Sequence, residues 1–111
     1  MNMRFIDPGA FRTELDVEEM IPAPDGLGGH TETWETVATV FAQVEPLRAG
    51  MRFGADQTLE TVTHRITMRF RETVRSGMRL RRDARYFGIV TVHDPDETRR
   101  YLVCSAREAG R

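Results

Sequence analysis

Histidine, cysteine and serine are side chains often used for metal binding or nucleophilic catalysis, and this sequence does not group them. His30, His64 and His93 stand far apart, without the spacing of paired metal ligands. Residues 94–97 form an acidic turn beside His93 that could hold a cation, but a solvated turn is the simpler interpretation. Cys104 lies in an apolar segment and is interpreted as a buried, inert thiol. We therefore predict no catalytic residue, no metal site and no cofactor.

All 16 basic residues are arginine, and five of them could form a phosphate-binding row in the second half of the chain. The row contains Arg65, Arg69, Arg71, Arg79 and Arg81. Phosphate binding requires clustered cations, and small β-barrels can present such surfaces. Against this hypothesis, the net charge of the chain is −1 and no stacking aromatic residues are interleaved with the arginines. A small β-barrel nucleic-acid-binding protein is therefore the alternative interpretation.

The elements that position these arginines follow from the alternation of apolar and polar residues, which is clearest in residues 58–71. One row of this stretch contains Val62, His64, Ile66, Met68 and Phe70, and the other row consists mainly of threonine and arginine. Alternation with a period of two places one set on each face of a strand. The stretch therefore predicts a long strand with a core face and an arginine–threonine face.

Charge is distributed unevenly along the chain. Residues 1–60 carry four arginines against eleven acidic residues, whereas residues 61–111 carry twelve arginines against six acidic residues. A small protein with one acidic half and one basic half can pair with copies of itself or with charged neighbours. Simple solvation of the charges explains the pattern equally well, because surface ion pairs contribute little.

Length and composition fit one domain spanning residues 1–111. No apolar run approaches the roughly 20 residues needed to cross a bilayer, so no membrane association is expected. The first residues lack an uninterrupted apolar region, which argues against a signal peptide. The single cysteine excludes an internal disulfide framework and suits synthesis in a reducing cytoplasm.

Segments with strand-like alternation follow one another along the chain. They are residues 13–20, 33–45, 58–71, 78–82, 85–93 and 100–106. Short turns between several of them favour antiparallel pairing, so the predicted fold is all-β: a small antiparallel barrel or sandwich of about six strands. Residues 21–30 contain two prolines and three glycines and are expected to form a loop.

A longer connection, residues 47–57, joins the two longest predicted strands. It is expected to be a long loop or a short helix, since Gly50 and Gly54 weaken its helical pattern. Its methionine and phenylalanine residues could contact a partner or lie on the protein's own core.

The predicted strand 33–45 carries apolar residues on both faces. We therefore expect a second element, or another subunit, to cover Val37 and Phe41. Trp34 is expected in the core, with a role as an interface anchor as the alternative.

Several segments in this order resemble the head–tail joining proteins, also called head-closure or stopper proteins, of tailed bacteriophages and gene transfer agents. The resemblance is carried by WETVATVFAQVEPL at residues 34–47, Gln57, THRITMRFR at residues 63–71, Met78-Arg79 and YFGI at residues 86–89. It extends over residues 9–104, and its strength lies in the order of the pieces, because no single motif is catalytic or unique.

The resemblance implies a structural, non-enzymatic virion protein that is made in the bacterial cytoplasm. Its subunits would form a homo-oligomeric ring in the neck of a phage or gene transfer agent particle. The ring would join a head–tail adaptor on the portal side to a tail terminator or tail tube protein. Double-stranded DNA would pass through the channel without sequence-specific binding. The expected channel or ring-interface residues are Arg48, Met51, Arg52, Phe53, Arg65, Arg69, Arg71 and Trp34.

Overall fold

The computed structural model describes residues 5–48 and 62–110, and these residues form one 3-10 turn and six strands. The 3-10 turn is η1 (Pro8–Ala10), and the strands are β1 (Thr13–Pro24), β2 (His30–Pro46), β3 (His64–Arg69), β4 (Arg79–Arg82), β5 (Arg85–His93) and β6 (Tyr101–Glu108). The all-β fold class predicted from the alternating segments is confirmed.

The six strands form one closed antiparallel barrel in the order β1-β2-β3-β6-β5-β4. Closure is achieved where the short strand β4 pairs with both β5 and β1. The core lies inside the barrel, and its largest fully buried members include Leu15, Ile66, Met68, Leu80 and Phe87. Each of these side chains belongs to the inward row of its strand, as the period of two requires.

Strand β3 has the two faces expected from its sequence. Ile66 and Met68 are fully buried in the core, whereas Arg65 lies on the opposite face and Arg69 is exposed. Thr67 belongs to the arginine–threonine face but is only 1% exposed, so part of that face is covered. The observed strand is the segment His64–Arg69, and residues 58–61 of the predicted strand lie outside the described residues.

The prediction of a loop at residues 21–30 is wrong, because residues 21–24 and 30 belong to the two strands of a long hairpin. Strand β1 continues to Pro24 and β2 begins at His30, so the turn occupies only residues 25–29. Pro22 and Pro24 are tolerated because, in the described part of the chain, no third strand pairs with β1 beyond Glu18. Proline and glycine composition alone could not reveal this edge position.

The hairpin turn is closed by one aspartate. The Asp25 carboxylate accepts hydrogen bonds from the backbone N–H groups of Leu27 and Gly29, at 2.8 and 3.0 Å. Gly26 and Gly28 adopt positive φ angles of 81° and 87°, which glycine reaches without the clash that a Cβ atom would cause. The aspartate and the glycines of this segment therefore form a tight turn between two strands, not a long loop.

The hairpin pairing contains one irregularity, where the register shifts between Val17 and Glu18. Val17 pairs with Ala38 but Glu18 pairs with Thr36, so Val37 is an extra residue of β2. An extra residue of this kind is a β-bulge, and it bends the strand and increases its twist. It lies where the hairpin leaves the barrel.

The connection between β2 and β3 begins and ends at one point of the barrel. The Leu47 backbone N–H donates a hydrogen bond of 2.9 Å to the Thr63 carbonyl oxygen. Residues 49–61, which include most of the predicted loop or helix, lie outside the described residues. The two longest observed strands are β1 and β2, of 12 and 17 residues.

Candidate assembly interface

The outer face of β1 and β4 carries a cluster of ion pairs. Glu18 is 5% exposed and accepts hydrogen bonds from Arg79 Nε at 2.6 Å and from Arg81 Nε at 2.8 Å. Arg81 also donates to Asp16 at 2.8 Å, and Asp16 accepts a hydrogen bond from the Thr39 hydroxyl. The cluster links the strand pair that closes the barrel, and it uses the charge of Arg79 and Arg81 within the subunit.

The environment of Glu18 fixes its ionisation. Burial by itself raises the pKa of Glu18, but the hydrogen bonds and charges of Arg79 and Arg81 outweigh burial and hold its pKa below the ordinary value of 4.5. Glu18 is therefore a carboxylate at neutral pH and accepts from both guanidinium groups.

Trp34 lies beside this cluster. The Arg79 guanidinium stacks 4.2 Å from the Trp34 ring centroid and 4.2 Å from that of Tyr86, so it lies against two aromatic rings. Trp34 is only partly buried and is not a member of the core, so the expectation of a core residue is wrong. One face of the Trp34 ring is covered by Arg79 of the same chain. An interface role for Trp34 stays a prediction.

The barrel end that carries the connection is polar. Arg85 donates two hydrogen bonds to the Glu108 carboxylate, at 2.8 and 3.1 Å, and these bonds raise the pKa of Arg85. The Thr63 hydroxyl oxygen accepts a hydrogen bond from the Glu108 N–H at 2.8 Å and lies 2.8 Å from His64 Nδ1. A cavity of about 640 Å³ opens here, and its wall includes Pro46, Leu47 and Thr63.

The arginine row expected from the sequence does not form one surface. Arg65 and Arg69 belong to β3 and Arg71 follows it, whereas Arg79 and Arg81 belong to β4, which lies across the barrel from β3. Alternation shows which face of a strand a residue occupies, but it does not show the position of that strand around a barrel. The structure therefore separates the predicted phosphate-binding row into two groups, of which the second is neutralised by Asp16 and Glu18.

The remaining predicted interface residues lie near the connection. Arg48 is exposed and directly follows Leu47. Met51, Arg52 and Phe53 lie outside the described residues. The role of all eight predicted residues in a channel or ring interface stays a prediction.

One exposed surface combines apolar and basic side chains, and we call Val37, Phe41, Arg69 and Arg71 the β2–β3 patch. Val37 and Phe41 are 38% and 56% exposed. The expectation that a second element of the same chain covers them is therefore not met within the described residues, and cover by another subunit stays a prediction. The register pairs Ala42 with Met68, and its continuation by one residue places Phe41 beside Arg69. Arg69 and Arg71 are exposed and make no ion pair in the described ranges.

The second exposed surface is the part of the β1–β2 hairpin that extends beyond the barrel, residues 19–35, which we call the arm. Within residues 5–48 and 62–110, no third strand pairs with the arm or with β2 before Ala42. Leu27 at its tip is 91% exposed, and Met20 and Ile21 are 37% and 36% exposed. Sequence reasoning missed the arm, although the glycine-rich turn between two alternating segments was a usable signal for a hairpin.

Two potentially reactive side chains, Cys104 and Asp96, have shifted pKa values. Burial raises the pKa of the Cys104 thiol to about 12, which agrees with the expected inert thiol. In the turn after β5, a hydrogen bond from the Thr98 hydroxyl, together with Arg100, lowers the pKa of Asp96 to about 2. Among residues 5–48 and 62–110, no three histidine, cysteine or acidic side chains lie close enough to hold a metal ion. No helix in the same ranges is long and apolar enough to span a bilayer.

These features define a small barrel whose prominent exposed surfaces suit contact with other macromolecules. The model of the phage head completion protein family matches residues 6–109, and the chain belongs to that family. The expectation of a structural component of a phage or phage-like particle is thereby confirmed.

Two solved structures are similar to this chain. A chain from the virion of a native gene transfer agent particle has a TM-score of 0.65 at 29% identity, with coverage of 90% of this chain and 96% of that chain. Protein SF1141 from Shigella flexneri 2a has a TM-score of 0.72 at 23% identity, with coverage of 96% and 99%, and shows a common fold. Comparison with curated proteins gives no match.

Proposed function

We propose that this protein is a subunit of a homo-oligomeric ring that joins head to tail and encloses part of the DNA channel. The observation that carries the proposal is the match to the phage head completion family over residues 6–109. The similar chain from the gene transfer agent virion supports it. The ring would contact a head–tail adaptor on the portal side and a tail terminator or tail tube protein on the other side.

The barrel suits such a ring because its two ends differ. Strand β2 runs from His30 in the arm to Pro46 beside the connection, so the arm and the connection leave opposite ends of the barrel. A ring of identical subunits requires two unlike contact surfaces on each subunit. The role is structural, and the proposal assigns no catalysis and no cofactor to the chain.

The connection between β2 and β3 is the segment that would face the lumen or a neighbouring ring. Both of its ends lie at the polar end of the barrel, where Arg82, Arg85 and His64 also lie. Arg48, Met51, Arg52 and Phe53 would supply the contacts, and passing DNA would meet side chains that read no base sequence.

Deletion of residues 49–55 tests this role in assembled particles. We expect particles that lose their DNA or fail to join tails, measured as packaged DNA per particle and as the fraction of tailed particles by electron microscopy. Replacement of the same seven residues by glycine and serine keeps the length of the connection but removes its native side chains. Comparison with the deletion shows whether the length or the side chains are required. Particles that retain DNA and tails after the deletion would refute a gating role.

Labelling the subunit and imaging intact particles tests the location itself. We expect label at the junction of head and tail, and label elsewhere would contradict the proposed ring.

A small nucleic-acid-binding barrel remains the second candidate, because Arg69 and Arg71 are exposed. Filter binding of DNA at rising salt separates the two, since affinity from phosphate contacts falls steeply with salt. The ring proposal expects only weak binding by the free subunit. Tight, strongly salt-dependent binding would favour the second candidate.

A further inference from the structure

We propose that the arm of one subunit packs on the β2–β3 patch of a second copy of this chain. The inference rests on the proposed ring, for which it names the contact between neighbouring subunits.

The arm is acidic and partly apolar. Residues 19–35 contain four acidic side chains and no arginine: Glu19, Asp25, Glu32 and Glu35. Glu19 pairs with Arg75, and Asp25 closes the turn, which leaves Glu32 and Glu35 as exposed carboxylates. Leu27 adds an almost fully exposed apolar side chain at the tip. A partner surface should therefore offer both arginine and apolar area.

The β2–β3 patch offers this combination. Phe41 exposes 56% of its surface beside Arg69, and Val37 lies four residues before Phe41 on the same strand. Arg69 and Arg71 are the two arginines of this face that carry no ion pair within the described residues. A guanidinium binds a carboxylate in a directional, two-pronged geometry, so arm carboxylates suit these positions.

The contact must form between copies. From His30 to Phe41 the chain runs within the single strand β2, which corresponds to about 36 Å at the rise of an extended strand. The tip of the arm therefore cannot reach the patch of its own subunit. Because the two surfaces differ, each subunit would use its arm on one neighbour and its patch on the other, which is the contact that generates a ring.

The second copy is the favoured occupant because both halves of the charge match lie on one chain. The acidic arm belongs to the first half of the sequence, which is negative, and Arg69 and Arg71 belong to the positive second half. Among the described strands, residues 30–41 of β2 pair with β1 alone, and a long edge of this kind tends to acquire a partner.

Charge reversal followed by a charge swap tests the contact. The double substitution Arg69→Glu and Arg71→Glu should reduce incorporation of the subunit into particles about tenfold, because like charges would meet at the interface. Glu32 and Glu35 lie on opposite sides of the arm, so Glu32→Arg and Glu35→Arg are added to the reversed chain separately. The addition on the side that faces the patch should recover most of the lost incorporation. Incorporation is measured by quantitative mass spectrometry of purified particles.

Arg107→Glu is the matched control, because Arg107 is an exposed arginine of β6 outside the patch. It should incorporate normally. Thermal unfolding of each free variant confirms that the barrel persists, as expected for exposed side chains.

Normal incorporation of the reversed variant would overturn the arm contact. Failure of both added substitutions to restore incorporation in folded variants would overturn it as well. Either result would leave the proposed ring intact if labelled wild-type subunits still lie at the head–tail junction. Failure of the ring proposal is seen separately, as label away from that junction. In that case, native mass spectrometry of the free protein still tests the arm contact, because it measures the fraction of multimers in each variant. An equal multimer fraction in the wild type and in the Arg69→Glu, Arg71→Glu variant would overturn the contact.

Discussion

Glu18 joins two strands that are far apart in the chain, because its carboxylate accepts from both Arg79 and Arg81. The Glu18 side chain is almost completely buried, because the residue is only 5% exposed. Hydrogen bonds to charged groups are stronger than those between neutral groups. Glu18 should therefore contribute more to barrel closure than other acidic residues of β1.

Glu18→Gln should lower the free energy of unfolding by about 2 kcal/mol at pH 7, since one charged acceptor of two guanidinium groups is lost. Urea unfolding measures the change. Glu14→Gln on the same strand is the control, because Glu14 is exposed, and it should change stability little. Equal effects of the two substitutions would contradict the assigned role.

The lowered pKa of Glu18 also predicts a pH dependence. Stabilisation by a carboxylate with a depressed folded-state pKa is fully present above its ordinary pKa of 4.5 and is lost as the pH falls through the folded-state pKa. The stability difference between the wild type and Glu18→Gln should therefore narrow on acidification below pH 4.5. A difference that grows with falling pH would contradict the direction of the shift.

Two threonines whose hydroxyl groups have different environments should respond oppositely to replacement by valine. Thr67 is 1% exposed and its hydroxyl has no hydrogen-bond partner among the described residues, so Thr67→Val should stabilise the protein by about 1 kcal/mol. The Thr63 hydroxyl accepts from the Glu108 N–H, so Thr63→Val should destabilise by about 1–2 kcal/mol. Denaturant midpoints of both variants provide the measurement, and shifts of the same sign would contradict this interpretation.

At the level of residues, the sequence predicted which side of a strand a residue occupies better than it predicted which residues it contacts. Ile66 and Arg65 lie on opposite sides of β3 as their alternation indicated, and Cys104 is buried. The pairing of Arg79 with Glu18 could not be predicted, because strand order around the barrel depends on contacts between distant parts of the chain. The same reason explains why Trp34 was expected in the core.

The arm is the element whose removal separates folding from assembly. Replacing residues 22–32 by an Asn-Gly turn should change the free energy of unfolding by less than about 1 kcal/mol, because none of these residues belongs to the buried core. Incorporation into particles should fall at least as far as in the charge-reversed variant. Circular dichroism with urea unfolding measures the first effect, and particle mass spectrometry measures the second.

A full-length arm carrying Leu27→Ser controls for the loss of a single exposed apolar side chain. Collapse of the barrel on truncation would show that the arm is required for folding.

At the level of elements, strands within the barrel were predictable and the extent of the hairpin was not. The segment Arg85–His93 was predicted with its observed bounds, because it alternates between two turn signals. Residues 21–30 were misassigned because prolines usually exclude a strand, whereas Pro22 and Pro24 lie on an edge that no other strand of residues 5–48 and 62–110 pairs with. Whether an edge is free depends on the whole sheet.

For the whole molecule, closure of the barrel predicts a gradient of local stability. Strands β3 and β6 are paired on both sides, whereas the arm pairs on one side only in the described part of the chain. Amide hydrogens of β3 and β6 should therefore exchange at least about a hundredfold more slowly than those of the arm in the dilute, free protein. Hydrogen-exchange mass spectrometry measures this gradient, and uniform protection would contradict it.

The overall charge pattern was visible in the sequence, but its arrangement in space was not. The acidic first half and basic second half were compatible with pairing between charged surfaces and equally with simple solvation. Folding interleaves the halves: β1 of the first half pairs with β4 of the second, and their opposite charges cancel at Asp16, Glu18, Arg79 and Arg81. Only the charges left outside that cluster are available for neighbouring molecules.

The bulge at Val37 places one surplus residue of β2 opposite an uninterrupted stretch of β1. If Val37 were removed, Val17 would still face Ala38 and Glu18 would still face Thr36, so both faces of the projecting hairpin would be kept. The strand would lose only its local bend and extra twist, which together set the direction in which the hairpin leaves the barrel. A one-residue deletion at this position would thus re-aim a subunit's contact with its neighbour, and Val37 is not a member of the core.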